Sequence, residues 1–292
     1  FDSMFEGATS FNQDISDWDV SNGKYFGEMF ADATAFNQDI GNWNVSKGTD
    51  FSHMFRNASV FNQDIGNWDV SKGTDFSLMF AATNFNQDIS KWDVSKGTDF
   101  YGMFLEAPHF NQKLEDWNLS SIENTPHIMF TGADAMLANG WSSTPNVSDF
   151  KGSTINGSSA ADIINGGDGN DVLSGFNEEG ITMSYSFTNR SALDSAVNAW
   201  ITDETDATST YGDINTWDVS GITDFSDLFT DKNNFNSDIS NWDVSNGTDF
   251  DSMFADATAF NQDIGNWNVS KGTDFSYMFR DASVFNQDIG NW

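Results

Sequence analysis

The most chemically pointed stretch of the chain reads Gly157-Ser-Ser-Ala-Ala-Asp162-Ile-Ile-Asn165, followed by Gly166-Gly167-Asp168-Gly169-Asn170-Asp171-Val-Leu-Ser174. Gly157, Gly166 and Gly175 recur at an interval of nine, as do Asp162 with Asp171 and Ile155 with Ile164 and Leu173. Glycines permit left-handed turns that aim backbone carbonyl oxygens at one point, and Asp adds a hard anionic oxygen, which together suit calcium. The candidate metal ligands are therefore Asp162, Gly166, Gly167, Asp168, Gly169, Asn170 and Asp171, with calcium as the cofactor. The first nonapeptide lacks the paired glycines and a third is lost at Phe176-Asn-Glu-Glu179. A complete shell of six or more oxygens would need Asp168, Glu178, Glu179 or a neighbouring array. A Gly/Asn/Asp linker without an ion is the alternative reading.

A second candidate is a surface of stacked carboxylates. Asp14, Asp39, Asp64 and Asp88 recur at one position of a repeat, and Asp19, Asp69 and Asp93, interrupted by Asn44 and Asn118, at another. Two unit charges about 5 Å apart repel by roughly 0.8 kcal/mol even in water. Either salt screens such a column or divalent cations bridge it, and the interleaved Asn relieves part of the repulsion. Asn12, Asn37, Asn62, Asn86 and Asn111, continued by Asn236, Asn261 and Asn286, form a further column suited to satisfying backbone groups at a corner. The Thr column at Thr49, Thr74 and Thr98 is single, whereas ice binding needs flat Thr ladders. His109 and His127 fall in degenerate repeats and read as surface substitutions.

Composition narrows the function further. The chain has 292 residues, 44 acidic against 12 basic side chains, a formal charge of -32, 28 Phe, 11 Trp and no Cys. Asp makes up 36 of the 44 acids, a bias toward turns and calcium rather than helices. So negative a surface repels phosphate backbones and anionic lipid, which argues against nucleic acid and membrane insertion. Absent Cys removes disulfides, thiol catalysis and thiolate zinc sites. Catalytic sites are singular while these acids come in equivalent copies, so the chain is expected not to be an enzyme.

The elements that must position these residues are set by an internal period. Trp18, Trp43, Trp68, Trp92, Trp117 and Trp141, then Trp217, Trp242, Trp267 and Trp292, are separated by 24 or 25 residues within each series. In the copy around Thr49–Ser71, Phe51, Met54, Phe55 and Ala58 lie at i, i+3, i+4 and i+7, which predicts a short helix capped by Thr49 or Asp50. Trp68 and Val70, flanking Asp69, predict a short strand with the apolar pair inward. Such a helix and strand cannot enclose a core alone, so copies must stack about 4.8 Å apart. The expected fold class is an α/β, leucine-rich-repeat-like solenoid of about 25-residue coils.

At these residues the chain resembles the BspA-like leucine-rich-repeat surface proteins of bacteria, whose units read much like M-F-x-x-A-x-x-F-N-Q-D-I-x-x-W-D-V-S. The likeness covers roughly residues 1–141 and 211–292, and implies an extracellular, non-catalytic solenoid with diverse ligands. The segment Gly166–Ser174 fits G-G-x-G-x-D-x-U-x and is similar to the calcium-binding nonapeptides of RTX proteins. That resemblance implies a short β-roll holding an ion between successive turns, and export by a one-step secretion machine.

A longer period lies above the first. Residues 1–68 align with 225–292 at an offset of 224, differing at 16 of 68 positions, and residues 29–52 and 253–276 are identical. The expected organisation is a first solenoid over 1–150 that starts mid-array, an RTX-like calcium joint over 151–186, and a capping helix opening a second solenoid over 187–292. Residues 187–201 predict that cap, with Leu193, Ala196, Val197 and Trp200 on one face. The chain thus reads as an excerpt of a longer tandem protein, in which seven coils from cap to exit would make a rod of about 34 Å. The expected function is an extracellular module of a secreted or cell-surface bacterial adhesin or filament, binding weakly and multivalently with calcium-stiffened joints. The alternatives are a self-assembling structural fibre or sheath with no foreign ligand, and the stalk of a larger enzyme or toxin. The expected partners are neighbouring repeats, other copies in a filament, or an unidentified surface ligand.

Overall fold

The computed structural model describes residues 1–122, 128–143, 145, 150 and 185–292. It divides into two compact units, Phe1–Ala160 and Ala161–Trp292. In each unit the repeats lie against one another in register, joined by hydrogen bonds between residues one period apart.

The period-25 pattern acts through an alternation of backbone donors. In one repeat the amides of Phe51, His53, Phe55 and Asn57 donate to the carbonyls of Asp75, Ser77, Met79 and Ala81 in the next, at 3.0, 2.7, 3.0 and 2.9 Å. The intervening amides of Met54, Arg56 and Ala58 turn back to Phe51, His53 and Phe55 of their own repeat, at 3.3, 2.8 and 3.0 Å. The segment expected to be helical is therefore a run of turns. An α-helix would retain its N–H groups for internal bonding, whereas here half of them face the neighbour. The change of direction comes from left-handed residues four apart: His53 and Asn57 have φ of 56° and 58°, and Glu28 and Asp32 have φ of 52° and 59°. The apolar spacing survives the substitution of turns for helix, since Phe51, Met54, Phe55 and Ala58 are all fully buried.

The expected strand at Trp68–Val70 likewise keeps its facing but not its ladder. Trp68 and Val70 are buried and Asp69 is exposed. Parallel β contact is instead a single bridge per repeat, Tyr25 to Asp50 to Asp75 to Asp99 in the first unit and Asp224 to Asp249 to Asp274 in the second. Trp68 is fixed by its ring, whose Nε1–H donates 3.0 Å to the carbonyl of Ile40 in the preceding repeat. The same bond recurs from Trp43 to Ile15 at 3.0 Å and from Trp267 to Ile239 at 3.3 Å.

The core is a set of aromatic columns. Phe5, Phe30, Phe55 and Phe80 stack at 5.6 to 5.8 Å, Phe36, Phe61 and Phe85 at 6.1 Å, and Trp18 lies parallel to Trp43 at 6.3 Å. Within a repeat Phe55 and Phe61 stack at 3.9 Å. Offset stacking of this kind adds to the benefit of burial.

The Asn column closes a corner. Asn62 N–H donates to Asn37 Oδ1 at 2.9 Å, Asn86 N–H to Asn62 Oδ1 at 2.8 Å, and Gln63 Nε2 reaches the Asn37 carbonyl at 2.8 Å. Each side chain thus accepts the amide of its counterpart one repeat on, the backbone role anticipated for this column. The Thr column is internal to the stack too, with Thr74 donating both N–H and Oγ1–H to the Thr49 carbonyl.

Helices lie beside the repeats rather than within them. In the first unit α1, Asp134–Ala138, follows the last full repeat, and the Asn139 side chain after it donates to Asn111 Oδ1 at the end of the Asn column. In the second unit α2, Arg190–Thr202, is N-capped by Asn189 and buries Leu193, Ala196, Val197 and Trp200, the face expected of a cap. Trp200 Nε1 donates to Ser237 Oγ at 2.9 Å in the first repeat of that unit. Helix α3, Glu204–Tyr211, follows directly, and Gly212 at φ 77° ends it. Among the described residues no helix is long and apolar enough to cross a membrane.

Two substitutions test this account. Asn62→Ala removes the acceptor of two donors, Asn86 N–H and Gln87 Nε2–H, and is expected to lower stability by about 1 kcal/mol, whereas Asn62→Asp keeps an oxygen there and costs less. A side chain at Gly66 would collide with the carbonyl oxygen of Asp88 in the next repeat. Gly66→Ala is therefore expected to cost about 1–3 kcal/mol in chemical denaturation.

Candidate functional site: stacked carboxylates

Asp162, Gly166, Gly167, Asp168, Gly169, Asn170 and Asp171 lie outside the described residues, as does His127. The acidic columns lie within them, and their geometry follows from a local rule. Wherever Asp or Asn is followed two residues later by Ser or Gly at these positions, its Oδ1 accepts that residue's backbone N–H. Asp14 binds Ser16 at 3.0 Å, Asp39 binds Gly41, Asp64 binds Gly66 and Asp88 binds Ser90, the last three at 2.9 Å. Asp19 binds Ser21 at 3.0 Å, Asp69 binds Ser71 at 3.1 Å and Asp93 binds Ser95 at 3.0 Å. These are Asx turns, in which a carboxylate or amide oxygen replaces a backbone acceptor. Asn44 and Asn118 make the same bond, to Ser46 at 3.2 Å and Ser120 at 3.0 Å. The alternation of Asp with Asn thus preserves the turn while removing a charge.

The hydrogen bonds hold several of these carboxyls below the ordinary range. For Asp14 and Asp88 the cause is the Ser16 and Ser90 groups. For Asp19 and Asp69 it is Ser21 and Ser71, with help from Lys47 on Asp19 and from Lys72 and Lys96 on Asp69. In the second unit Asp218 and Asp243 are lowered by Ser220 and Ser245.

A third column, absent from the sequence reading, runs along the β-bridges. Asp50, Asp75 and Asp99 accept the amides of Ser52, Ser77 and Tyr101 at 2.9, 2.9 and 2.8 Å, and Asp224, Asp249 and Asp274 do the same in the second unit. Burial, reinforced by Asp99 and Asp50, raises the Asp75 carboxyl. Burial likewise raises Asp249, beside Asp224 and Asp274. Asp251 is pushed up to about 6 by burial and by Asp274, Asp227 and Asp249. The signal for this column was present in the recurring Asp-x-Ser triplet of Asp50-Phe-Ser52 and Asp75-Phe-Ser77, which matches Asp69-Val-Ser71.

Chemically, one oxygen of each of these carboxylates is committed to its own turn, and the columns present repeated negative charge. Among the described residues no group of three or more His, Asp or Glu side chains converges to hold a metal ion. His53 sits at a left-handed position in the turn run, and His109 is exposed.

Repeats held in register by their backbones, and carrying the same turn at the same place, define a tandem-repeat protein. The chain belongs to the family described as Mycoplasma protein of unknown function, DUF285, whose model matches residues 1–84, 49–143 and 205–292. No curated protein and no solved structure matches it.

The lowered columns make stability acid-sensitive. Groups held below 3.8 in the fold bind fewer protons there than in the unfolded chain. Their contribution is therefore present above about pH 4 and is lost as pH falls through the folded values. Melting between pH 5 and 2.5 is expected to show a falling midpoint. Asp69→Asn, which copies Asn44, should flatten that fall and leave the midpoint at pH 7 nearly unchanged.

Proposed function

We propose that this chain is an extracellular repeat module of a long bacterial surface protein, an adhesin or filament, without catalytic activity. Its repeats of turns, stacked one on the next and similar in sequence to leucine-rich repeats, form solenoids, and a calcium-stiffened joint over 151–186 separates them. The observation that carries the reading is that each repeat sends its backbone donors to the next. Identical outward faces are thereby held at fixed spacing along each array. Many weak contacts acting together gain avidity when their spacing is fixed. The acidic turn columns fit a salty medium where charge is screened, and the absence of Cys leaves no thiol to oxidise there. Secretion follows from the resemblance to RTX and BspA-like proteins, and calcium would bind through Asp162, Asp168, Asp171 and the glycine carbonyls between them.

Calorimetric melting of the whole chain with calcium and with chelator tests the joint. Calcium is expected to raise the midpoint, and Asp171→Asn should abolish the rise. An unchanged midpoint with no heat of calcium binding would remove the joint from the proposal. Sedimentation over a range of concentrations separates adhesin from fibre. The adhesin reading expects a monomer that binds cells or glycans, and a self-assembling sheath expects polymers from purified chain.

A further inference from the structure

At one left-handed position the turn runs carry residues as unlike as Glu28, Leu78 and Tyr277, none of them a type that the conformation favours. Backbone strain of this kind is kept where the side chain has a use. Leu78 gathers apolar neighbours. Its amide donates 2.8 Å to the carbonyl of Tyr101 in the next repeat. A Cβ at Gly102 would lie 2.8 Å from Leu78 Cδ2 and 3.4 Å from Leu105 Cβ, so both leucines border the space that Gly102 leaves open. Leu78 and Leu105 are half-buried, and Tyr101 is 47% exposed. In other repeats the position of Leu78 holds Ser3 or Ser252, that of Tyr101 holds Ser52 or Ser77, and that of Leu105 holds Ala31 or Ala81. The stack therefore forms without these three apolar side chains.

The charges beside them are negative. Asp99, exposed, accepts the Tyr101 amide at 2.8 Å, and Glu106, also exposed, follows Leu105. The runs 76–82 and 100–106 contain no Arg or Lys. A run in the second unit shows what completes such a set. There the Arg280 guanidinium lies 5.5 Å from the centre of the Tyr277 ring and binds Asp256 Oδ2 at 3.0 Å. That unit supplies ring, carboxylate and cation from its own residues, whereas the run of Tyr101 supplies the ring and the carboxylates alone. A net charge of -32 steers cationic partners toward the chain and anionic ones away.

We propose that Leu78, Tyr101 and Leu105 form a docking surface for a partner protein segment in which Arg or Lys stands beside an aliphatic side chain. The aliphatic group covers the two leucines, as exposed apolar patches on soluble proteins are covered by their partners. The cation lies over the Tyr101 ring, as Arg280 lies over Tyr277, with Asp99 and Glu106 as its counter-charges. The inference names a partner class for the surface module proposed above and rests on that reading.

Fluorescence anisotropy with the whole chain tests it. The probe is a short labelled peptide with a Leu pair flanked by Arg, compared with peptides that carry Ser in place of Leu or Glu in place of Arg. The parent is expected to bind the Arg/Leu peptide about tenfold more tightly than the Arg/Ser peptide, and the Glu/Leu peptide not at all. Leu78→Ser combined with Leu105→Ala installs residues that equivalent repeats already carry, so the stack is retained, and should remove the tenfold gain. Tyr101→Ser alone, at an exposed site, should remove part of it. Tyr25→Asp, which changes another exposed ring to the residue found at Asp249, should remove none. Equal binding of the Arg/Leu and Arg/Ser peptides, undiminished binding by the variants, or capture of a neutral oligosaccharide in place of the peptide overturns the inference. Peptide binding is read apart from cell binding, so failure of the patch and failure of the surface-module reading give different results.

Discussion

Everything in this molecule depends on where half of the backbone N–H groups point. In the run Phe51–Asn57 alternate amides leave the repeat and bond the next one, and the same alternation recurs at Phe26–Asp32 and Phe250–Asp256. An amide buried without a partner costs free energy comparable to a lost hydrogen bond. A repeat taken alone would leave four donors of this run unmet, whatever its hydrophobic content. The aromatic columns follow from that constraint, since ring follows ring only if backbones are held in register.

Register has an electrostatic cost, because identical side chains are brought to one face. The protein meets it by giving the acids structural work. Each Asp at the outer columns closes its own turn, so an oxygen that would add to repulsion instead satisfies a backbone donor. Where the same turn recurs without a charge, Asn44 and Asn118 take the place of Asp. At Asp50 and Asp75 of the bridge column, which are half-buried so that solvent screens less, a Ser hydroxyl two residues on shares the load. The net charge of -32 is thus largely a consequence of turn chemistry repeated many times.

Close approach also fixes the small residues. Gly102, at φ 57°, faces Leu78 of the preceding repeat, and a Cβ there would lie 2.8 Å from Leu78 Cδ2. A larger residue in one repeat is therefore matched by the absence of a side chain in the next. Gly27 lies in a similar relation to Asp2, whose Oδ1 would be 2.8 Å from a Cβ added there. The second unit has Ser226 and Asp251 at those positions, so the acid sits on the later repeat in place of the earlier one.

The sequence by itself determined the period, the inward residues and the buried face of α2. Trp and Phe at intervals of 24 or 25, the i, i+3, i+4, i+7 spacing of Phe51 to Ala58, and the apolar face of α2 were all readable, because burial follows residue type and spacing. The Asn column was readable for the same reason, as a polar residue repeated beside a buried one. Hydrophobic spacing does not distinguish a helix from a chain of turns that presents the same face, so the short helix was assigned where the structure has left-handed turns, and the strand at Trp68–Val70, where the structure has no bridge, its single bridges lying instead at Asp50 and Asp75. The choice was made by the neighbouring repeat, whose carbonyls draw alternate amides outward. Leu78, Ala82 and Tyr277 adopt positive φ without being residue types that favour it. The third acidic column escaped for a like reason. Its Asp-x-Ser triplets resemble the outer ones in sequence, and only stacking half-buries Asp75 and Asp249 and sets each beside the same Asp of its neighbouring repeats, which a single repeat in isolation would never do.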